Sequence, residues 1–95
     1  MPAVPLARVK EIRDDGSVVE IVIWELPDSL PPCTHRYKYR LYFGAQGVSR
    51  VRYDNERGKG DHRHADSVEA TYDFTTLDVL LADFERDVTN WREKP

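Results

Sequence analysis

Residues 35–54, at the centre of the chain, have the sequence HRYKYRLYFGAQGVSRVRYD. Over 37–43 every odd position is aromatic or aliphatic, whereas positions 36, 38 and 40 are basic. A period of two is typical of a β-strand with one buried face. Gly44 and Gly47 mark a turn, and the alternation resumes over 48–54. The stretch therefore predicts a β-hairpin with one apolar and one cationic face.

The register of this hairpin decides which charged side chains lie opposite one another. Pairing Phe43 with Ser49 keeps the apolar side chains of both strands together, so we prefer it. That register needs a five-residue connection, 44–48, and it places Arg40 opposite Arg52. Like charges directly opposite each other are unfavourable in a sheet. The pairing thus predicts an anion between the two arginines, either a ligand or an acidic part of the chain.

Shorter signals place the elements on either side of the hairpin. Residues 6–25 predict a first hairpin, because the Asp-Asp-Gly turn at 14–16 is followed by a run of β-branched residues. Residues 55–67 are polar and contain two glycines, which predicts a loop. A short strand is expected over 68–74.

The last predicted element is a helix over 75–92. Thr75 is a suitable N-cap, and Asp78 lies where a capping-box acid belongs. Apolar residues follow at spacings of three and four, as on the buried stripe of a helix: Leu77, Leu80, Leu81, Phe84, Val88 and Trp91. Together the elements predict a single α+β domain over residues 1–95. Its antiparallel sheet has four to five strands (two β-hairpins and a short strand), packed by one C-terminal helix.

The composition excludes several classes of protein. No apolar run approaches the roughly 20 residues that span a bilayer, so we expect no membrane segment. The first 13 residues contain no apolar core of a signal peptide. Cys33 is the only cysteine, which excludes an intramolecular disulfide. These features favour a cytoplasmic location.

The net charge of −3 conceals an uneven distribution. Residues 1–33 carry three basic and six acidic side chains, and residues 65–95 carry three basic and eight acidic ones. The segment 34–64 carries eight basic and three acidic side chains, together with all three histidines. Such a block can mark a surface that binds anions, including nucleic acid. It can also simply neutralise acidic elements of the same fold.

The candidate site lies between Arg52 and His64. His62 and His64 offer imidazoles that exchange protons near neutral pH, and we predict catalytic roles for them together with Arg52 and Asp54. Basic side chains suited to binding phosphate or RNA surround this group: Arg36, Lys38, Arg40, Arg50, Lys59 and Arg63.

Three functional interpretations of this site stay open. The first is RNA cleavage without a cofactor, with a histidine as acid or base and a cation beside the phosphate. The second is a divalent metal held by His62, His64 and Asp54, in an enzyme acting on nucleotides. The third is binding of nucleic acid or protein without chemistry, carried by the arginine face and Tyr42. Against all three stands the plain alternative that these histidines are solvated loop residues.

Several of these pieces resemble the TumE-type toxins of bacterial and archaeal toxin–antitoxin pairs, over about residues 17–91. The resemblance is carried by 35–40, by the strand end at 52–55, and by the His-Arg-His run at 62–64 followed by Glu69. It implies a growth-inhibiting toxin whose partner is a cognate, DNA-binding antitoxin. It supplies no catalytic residues, so RNA as the substrate is inferred from the cationic face and the histidines. The acidic helix also makes a homodimer conceivable, with a second copy's basic strands covering it.

Overall fold

The structure, a computed structural model, describes residues 2–65 and 67–92. Over these ranges the chain forms an antiparallel sheet in which each strand pairs with its neighbours in sequence, followed by a helix. The elements are β1 (Val4–Ile12), β2 (Val18–Glu25), β3 (Tyr37–Ala45), β4 (Val48–Glu56), β5 (Gly60–Ala65), β6 (Val68–Thr71) and α1 (Leu77–Arg92). The α+β class, the antiparallel sheet and the C-terminal helix are confirmed. The sheet, however, has six strands rather than four to five.

The additional strand lies in the segment predicted as a loop. β4 continues to Glu56, a tight turn follows, and β5 begins at Gly60. Gly58 and Gly60 have φ values of 84° and 81°, a conformation that glycine adopts at little cost. The prediction of a loop over 55–67 was wrong because β5 has polar side chains on both of its faces. It therefore lacks the apolar alternation by which half-buried strands are found.

The β3–β4 hairpin has a shorter turn than predicted. Its register pairs Arg40 with Asp54 rather than with Arg52, and only Gln46 and Gly47 connect the strands. Both turn residues have positive φ, 58° and 72°, as a type I′ turn requires. The five-residue connection and the Arg40–Arg52 pair were therefore wrong. The shift of two residues nevertheless leaves the paired side chains on their predicted faces, since sides alternate along a strand.

This alternation gives the sheet two different faces. The helix face packs against α1, and its buried side chains include Tyr39, Leu41, Phe43, Val51 and Tyr53. The opposite face, called the open face below, presents these side chains on β3 to β6: Lys38, Arg40, Tyr42, Arg52, Asp54, His62, His64 and Glu69. All of the predicted catalytic residues thus share the face that α1 does not cover.

The helix α1 begins at Leu77, two residues later than predicted. The Thr76 hydroxyl oxygen accepts a hydrogen bond of 3.1 Å from the Val79 backbone N–H, so Thr76 is the N-cap rather than Thr75. All six residues of the predicted apolar stripe lie in the core or pack against it, which confirms the buried side of the helix. No helix in the described ranges combines the length and apolar character needed to cross a membrane.

A charged contact also joins α1 to the sheet. Asp87, whose side chain is 5% exposed, accepts hydrogen bonds from Arg63 of β5 and from the Tyr53 hydroxyl of β4. Burial opposes ionisation of this carboxyl group. The hydrogen bonds from Arg63 and Tyr53 and the charge of Arg63 outweigh that effect and hold the pKa of Asp87 below its ordinary value. Arg63 is therefore a contact between β5 and α1.

Candidate active site

The two histidines of the His-Arg-His run lie side by side on the open face. They occupy alternate positions of β5, so both side chains leave the strand in the same direction. The β4–β5 register places His62 opposite Asp54 and His64 opposite Arg52. Strand pairing therefore brings together the four residues that the sequence predicted as catalytic.

Arg52 connects the two strands at this point. Its Nη2 lies 2.7 Å from Nε2 of His64, and its Nε lies 3.2 Å from Oδ2 of Asp54. A guanidinium is always a donor and never an acceptor. In this contact Nε2 of His64 is therefore the acceptor. Asp54 holds Arg52 by its charge, which makes Asp54 a positioning residue for this cation.

One ring nitrogen of His62 is hydrogen-bonded to the backbone, and the other is not. Its Nε2 donates a hydrogen bond of 2.9 Å to the carbonyl oxygen of Lys59, so Nδ1 carries the lone pair. Nδ1 is buried and has no hydrogen-bond partner among the described residues. The nearest acid is Glu69, whose Oε1 lies 3.5 Å from this nitrogen. A neutral imidazole in this state can accept a proton.

Glu69, which was not predicted as a catalytic residue, completes the cluster. It lies on β6 directly opposite His64, and the same Oε1 is 3.3 Å from Nε2 of His64. One carboxylate oxygen thus lies beside both histidines, and 56% of its side chain is exposed. A prediction that β5 and β6 pair as two strands could have identified it from the sequence. Predicting 60–71 as two strands would have placed Glu69 opposite His64.

Further basic and aromatic side chains extend the open face beyond the histidines. Tyr42 lies opposite Arg52, one strand further from His64. Arg40 has its Cζ atom 4.9 Å from the centre of the Tyr42 ring, and its nearest acid is Glu20 at 3.4 Å. Lys38 donates a hydrogen bond to the carbonyl oxygen of Asn55. This part of the face is cationic and partly aromatic.

Other residues predicted to bind phosphate lie elsewhere. Arg50 stacks its guanidinium 5.0 Å from the Trp91 ring centre and donates to the Ala45 carbonyl oxygen. Arg63 is on the helix face. Lys59 is exposed in the β4–β5 turn, 3.8 Å from an oxygen of Glu56, and Arg36 is exposed just before β3.

The metal ligands proposed from the sequence were His62, His64 and Asp54. In the described ranges the potential ligands that converge are a different set, Cys33, His35 and Asp61, whose ligand atoms lie within 4.8 Å of one another. This set is near the helix face and not on the open one, since Asp61 is bonded there to the buried Tyr39.

Hydrogen bonding explains this second cluster without a metal. Nδ1 of His35 accepts a 3.1 Å hydrogen bond from the Tyr37 backbone N–H, so Nε2 carries the ring proton and donates it to Asp61 at 2.8 Å. A metal on Nε2 would require the proton on Nδ1, facing another N–H. Burial, followed by the charge of Asp61, raises the pKa of the Cys33 thiol and keeps it protonated. These contacts attach the 33–37 segment to β5.

Comparison with known proteins identifies the family of the chain. No curated protein and no solved structure matches it. The family model described as toxin TumE matches residues 3–92, which is nearly the whole chain. The matched range includes Arg52, Asp54, His62, His64 and Glu69. The chain therefore belongs to the TumE family of toxins.

Proposed function

We propose that this toxin is an endoribonuclease that cleaves RNA at the open face without a metal ion. The observation that supports this most strongly is the convergence of two imidazole nitrogens on one oxygen of the exposed Glu69, with the Arg52 guanidinium bonded to one of them. Cleavage of RNA by its own 2′-hydroxyl needs a base, an acid and a cation beside the phosphate. His62, His64 and Arg52 provide these three groups.

The roles follow from the hydrogen bonds of the free protein. His62 Nδ1 is buried in the free protein, so the side chains that cover it must move as RNA binds. It then takes the proton from the 2′-hydroxyl. The 2′-oxygen then bonds to the adjacent phosphorus, and the bond from phosphorus to the 5′-oxygen breaks. His64 takes up a proton from solvent on Nε2 after Arg52 has left that nitrogen, and gives this proton to the departing 5′-oxygen. The products are a 2′,3′-cyclic phosphate and a free 5′-hydroxyl.

Arg52 couples substrate binding to this chemistry. In the free protein its guanidinium is hydrogen-bonded to Nε2 of His64. A phosphate attracts the guanidinium more strongly than a neutral nitrogen does, because the phosphate is negatively charged and can accept two parallel hydrogen bonds. Once Arg52 moves to the phosphate, Nε2 of His64 is free, with Glu69 beside it to stabilise the protonated ring.

The TumE family implies a cognate antitoxin as partner. We propose that this antitoxin is a DNA-binding protein and that it neutralises the toxin by placing acidic side chains on the open face, against Arg40 and Arg52. Such a contact would cover the histidines and compete directly with RNA.

The test is cleavage of single-stranded RNA by purified protein in the presence of EDTA. The variants are His62→Ala, His64→Ala and the double substitution, with Glu85→Gln on the exposed side of α1 as the matched control. We expect the wild type and the control to produce fragments that end in a 2′,3′-cyclic phosphate. Each histidine variant should lose about 100-fold or more in rate. Circular dichroism and thermal melting establish that the variants are folded.

Other outcomes would contradict the proposal. A fully active double variant would exclude the histidines from the chemistry. Cleavage that stops in EDTA and returns with Mg²⁺ would favour a metal-dependent enzyme. Binding of RNA without any product, combined with growth arrest on expression, would favour a toxin that acts by binding alone.

A further inference from the structure

Tyr42 lies in line with the proposed catalytic residues. Strand pairing places it opposite Arg52, and Arg52 is opposite His64, so the three side chains form a row across β3, β4 and β5. Neighbouring strands are about 4.8 Å apart, so Tyr42 and His64 are separated by roughly 10 Å. One nucleotide can span that distance.

The Tyr42 ring lies along the sheet rather than standing away from it. A Cβ atom at Gly44 would come within 2.9 Å of both Cε1 and Cζ of Tyr42. The ring therefore occupies the space directly above the backbone of Gly44, which only a residue without a side chain leaves open. Gly44 thus leaves room for the ring to lie against the strand, where another planar group can reach it.

An exposed cation lies beside that ring. Arg40 has its guanidinium 4.9 Å from the ring centre, its side chain is 46% exposed, and its contact with Glu20 is long at 3.4 Å. Exposed ion pairs of this kind contribute little energy. A nucleobase can therefore displace Arg40 from the ring, and the released guanidinium is then available to a phosphate of the same strand.

We infer that Tyr42 is a stacking platform for one unpaired base, and hence that the substrate is single-stranded RNA cleaved next to that base. This inference rests on the proposed function, because it takes the scissile phosphate to lie at Arg52. Sequence-tolerant stacking on an aromatic ring beside a basic track is how proteins hold single strands. In a duplex the bases are paired and stacked inside the helix, and their faces cannot reach a ring that lies flat on a sheet.

Three variants test the inference. Tyr42→Phe keeps the ring, Tyr42→Leu removes it, and Gly44→Ala displaces it without changing Tyr42. The probe is a short fluorescein-labelled single-stranded RNA with fluorine in place of every 2′-hydroxyl, so that it binds without being cleaved. Its duplex form serves as the comparison, and Kd is measured by fluorescence anisotropy at one fixed salt concentration.

We expect Tyr42→Leu and Gly44→Ala to weaken binding of the single strand by about tenfold to a hundredfold, the usual effect of losing one stacked base. Tyr42→Phe should stay within about threefold of the wild type, since a phenyl ring stacks as well. The duplex should bind weakly and equally to all four proteins. Overturning results are wild-type affinity of Tyr42→Leu for the single strand, or a duplex that binds as tightly as the single strand.

The His62→Ala/His64→Ala double variant separates this inference from the proposed function. It should lose cleavage of ordinary RNA, whereas the stacking variants should lose binding of the uncleavable single strand. If the stacking variants lose binding but no RNA is ever cleaved, the platform stands and the ribonuclease proposal fails. If RNA is cleaved at the histidines and Tyr42→Leu cleaves single strands at the wild-type rate, the platform fails and the ribonuclease proposal stands.

Discussion

Arg63 and Asp87 are 24 residues apart in sequence, and their side chains form two parallel hydrogen bonds across the helix face. Nε donates to Oδ2 at 2.7 Å, and Nη2 donates to Oδ1 at 2.9 Å. This two-contact geometry is the strongest arrangement for a guanidinium and a carboxylate. It fixes α1 against the strand that carries both candidate catalytic histidines.

Arg63→Ala should lower the free energy of unfolding by about 3 kcal/mol, because it leaves the Asp87 carboxylate buried with only Tyr53 as a close donor. Denaturation in urea measures the loss. Arg57→Ala is the matched control, since Arg57 is exposed in the turn between β4 and β5. That control should cost less than about 0.5 kcal/mol. Equal losses in the two variants would show that the buried ion pair contributes no more to the free energy of unfolding than an exposed arginine does.

The same carboxylate predicts a pH dependence of stability. Because the pKa of Asp87 is lowered in the folded state, its ionisation stabilises the fold above the ordinary aspartate value of about 3.9, and this contribution is lost as pH falls through the lowered value. Asp87→Asn should therefore be less stable than the wild type at neutral pH, and the difference should shrink in acid. Urea denaturation at a series of pH values measures this. A difference that is constant with pH would contradict the assignment.

The turn between β3 and β4 offers a stabilising substitution. Gln46 has a φ of 58°, a left-handed conformation in which glutamine is unfavourable and asparagine is tolerated. Gln46→Asn should raise the free energy of unfolding by about 0.5 to 1 kcal/mol, because it matches the preference of a type I′ turn. Gln46→Ser introduces a small polar side chain that lacks this preference, and it is the control. If asparagine lowers stability, the hydrogen bond from Arg50 to Gln46 matters more than the turn conformation.

Glu69 should matter for cleavage although it was not predicted from the sequence. Glu69→Gln preserves its size but removes the charge beside His62 and His64. We expect the cleavage rate at neutral pH to fall by up to about 100-fold, the cost of misplacing reacting groups by about 1 Å. KM should change little, because Glu69 does not contact the phosphate in the proposed complex. A normal rate would leave Glu69 with a purely structural role at the edge of the sheet.

The cationic side chains should make RNA binding sensitive to salt. If Lys38, Arg40 and Arg52 each contact one phosphate, the logarithm of the affinity should fall against the logarithm of salt concentration with a slope of about −2. Arg40→Ala should reduce the size of that slope by about 0.7, and Arg86→Ala should leave it unchanged. An unchanged slope in Arg40→Ala would remove Arg40 from the RNA path.

Much of the sheet could be predicted from local patterns. The alternation in β3 and the apolar stripe of α1 identify the buried sides of both elements, because burial needs only a repeating apolar position. The alternation does not determine the register. Two registers that differ by two residues both keep the apolar faces together. The choice between these registers depends on whether Gln46 and Gly47 adopt positive φ. That preference is weak for glutamine, and the five-residue connection was predicted instead.

The residues of the candidate site were proposed from the sequence, but their spatial arrangement was not predicted. His62, His64, Arg52 and Asp54 are recognisable by their chemistry, whereas the contribution of Glu69 depends on the β5–β6 pairing. β5 has polar residues toward both faces, so no period marked it as a strand. The side chains of Asp61 and Arg63 point toward the helix face, and each is hydrogen-bonded there to a buried polar partner. These partners are Tyr39 for Asp61 and Asp87 for Arg63. Such pairs become visible only when the strands and the helix are assembled.

The position of Arg63 between two histidines has a consequence for how the molecule can misfold. If β5 slipped by one residue against β4, every side chain of the strand would change sides. Both imidazoles would then enter the core, Arg63 would point to solvent, and Asp87 would be left without its cation. A wrongly paired chain would thus lose its reactive groups and its stability in the same event. Incorrectly folded copies should be inactive and short-lived rather than partly active, so a cell would carry toxin that is either fully formed or harmless.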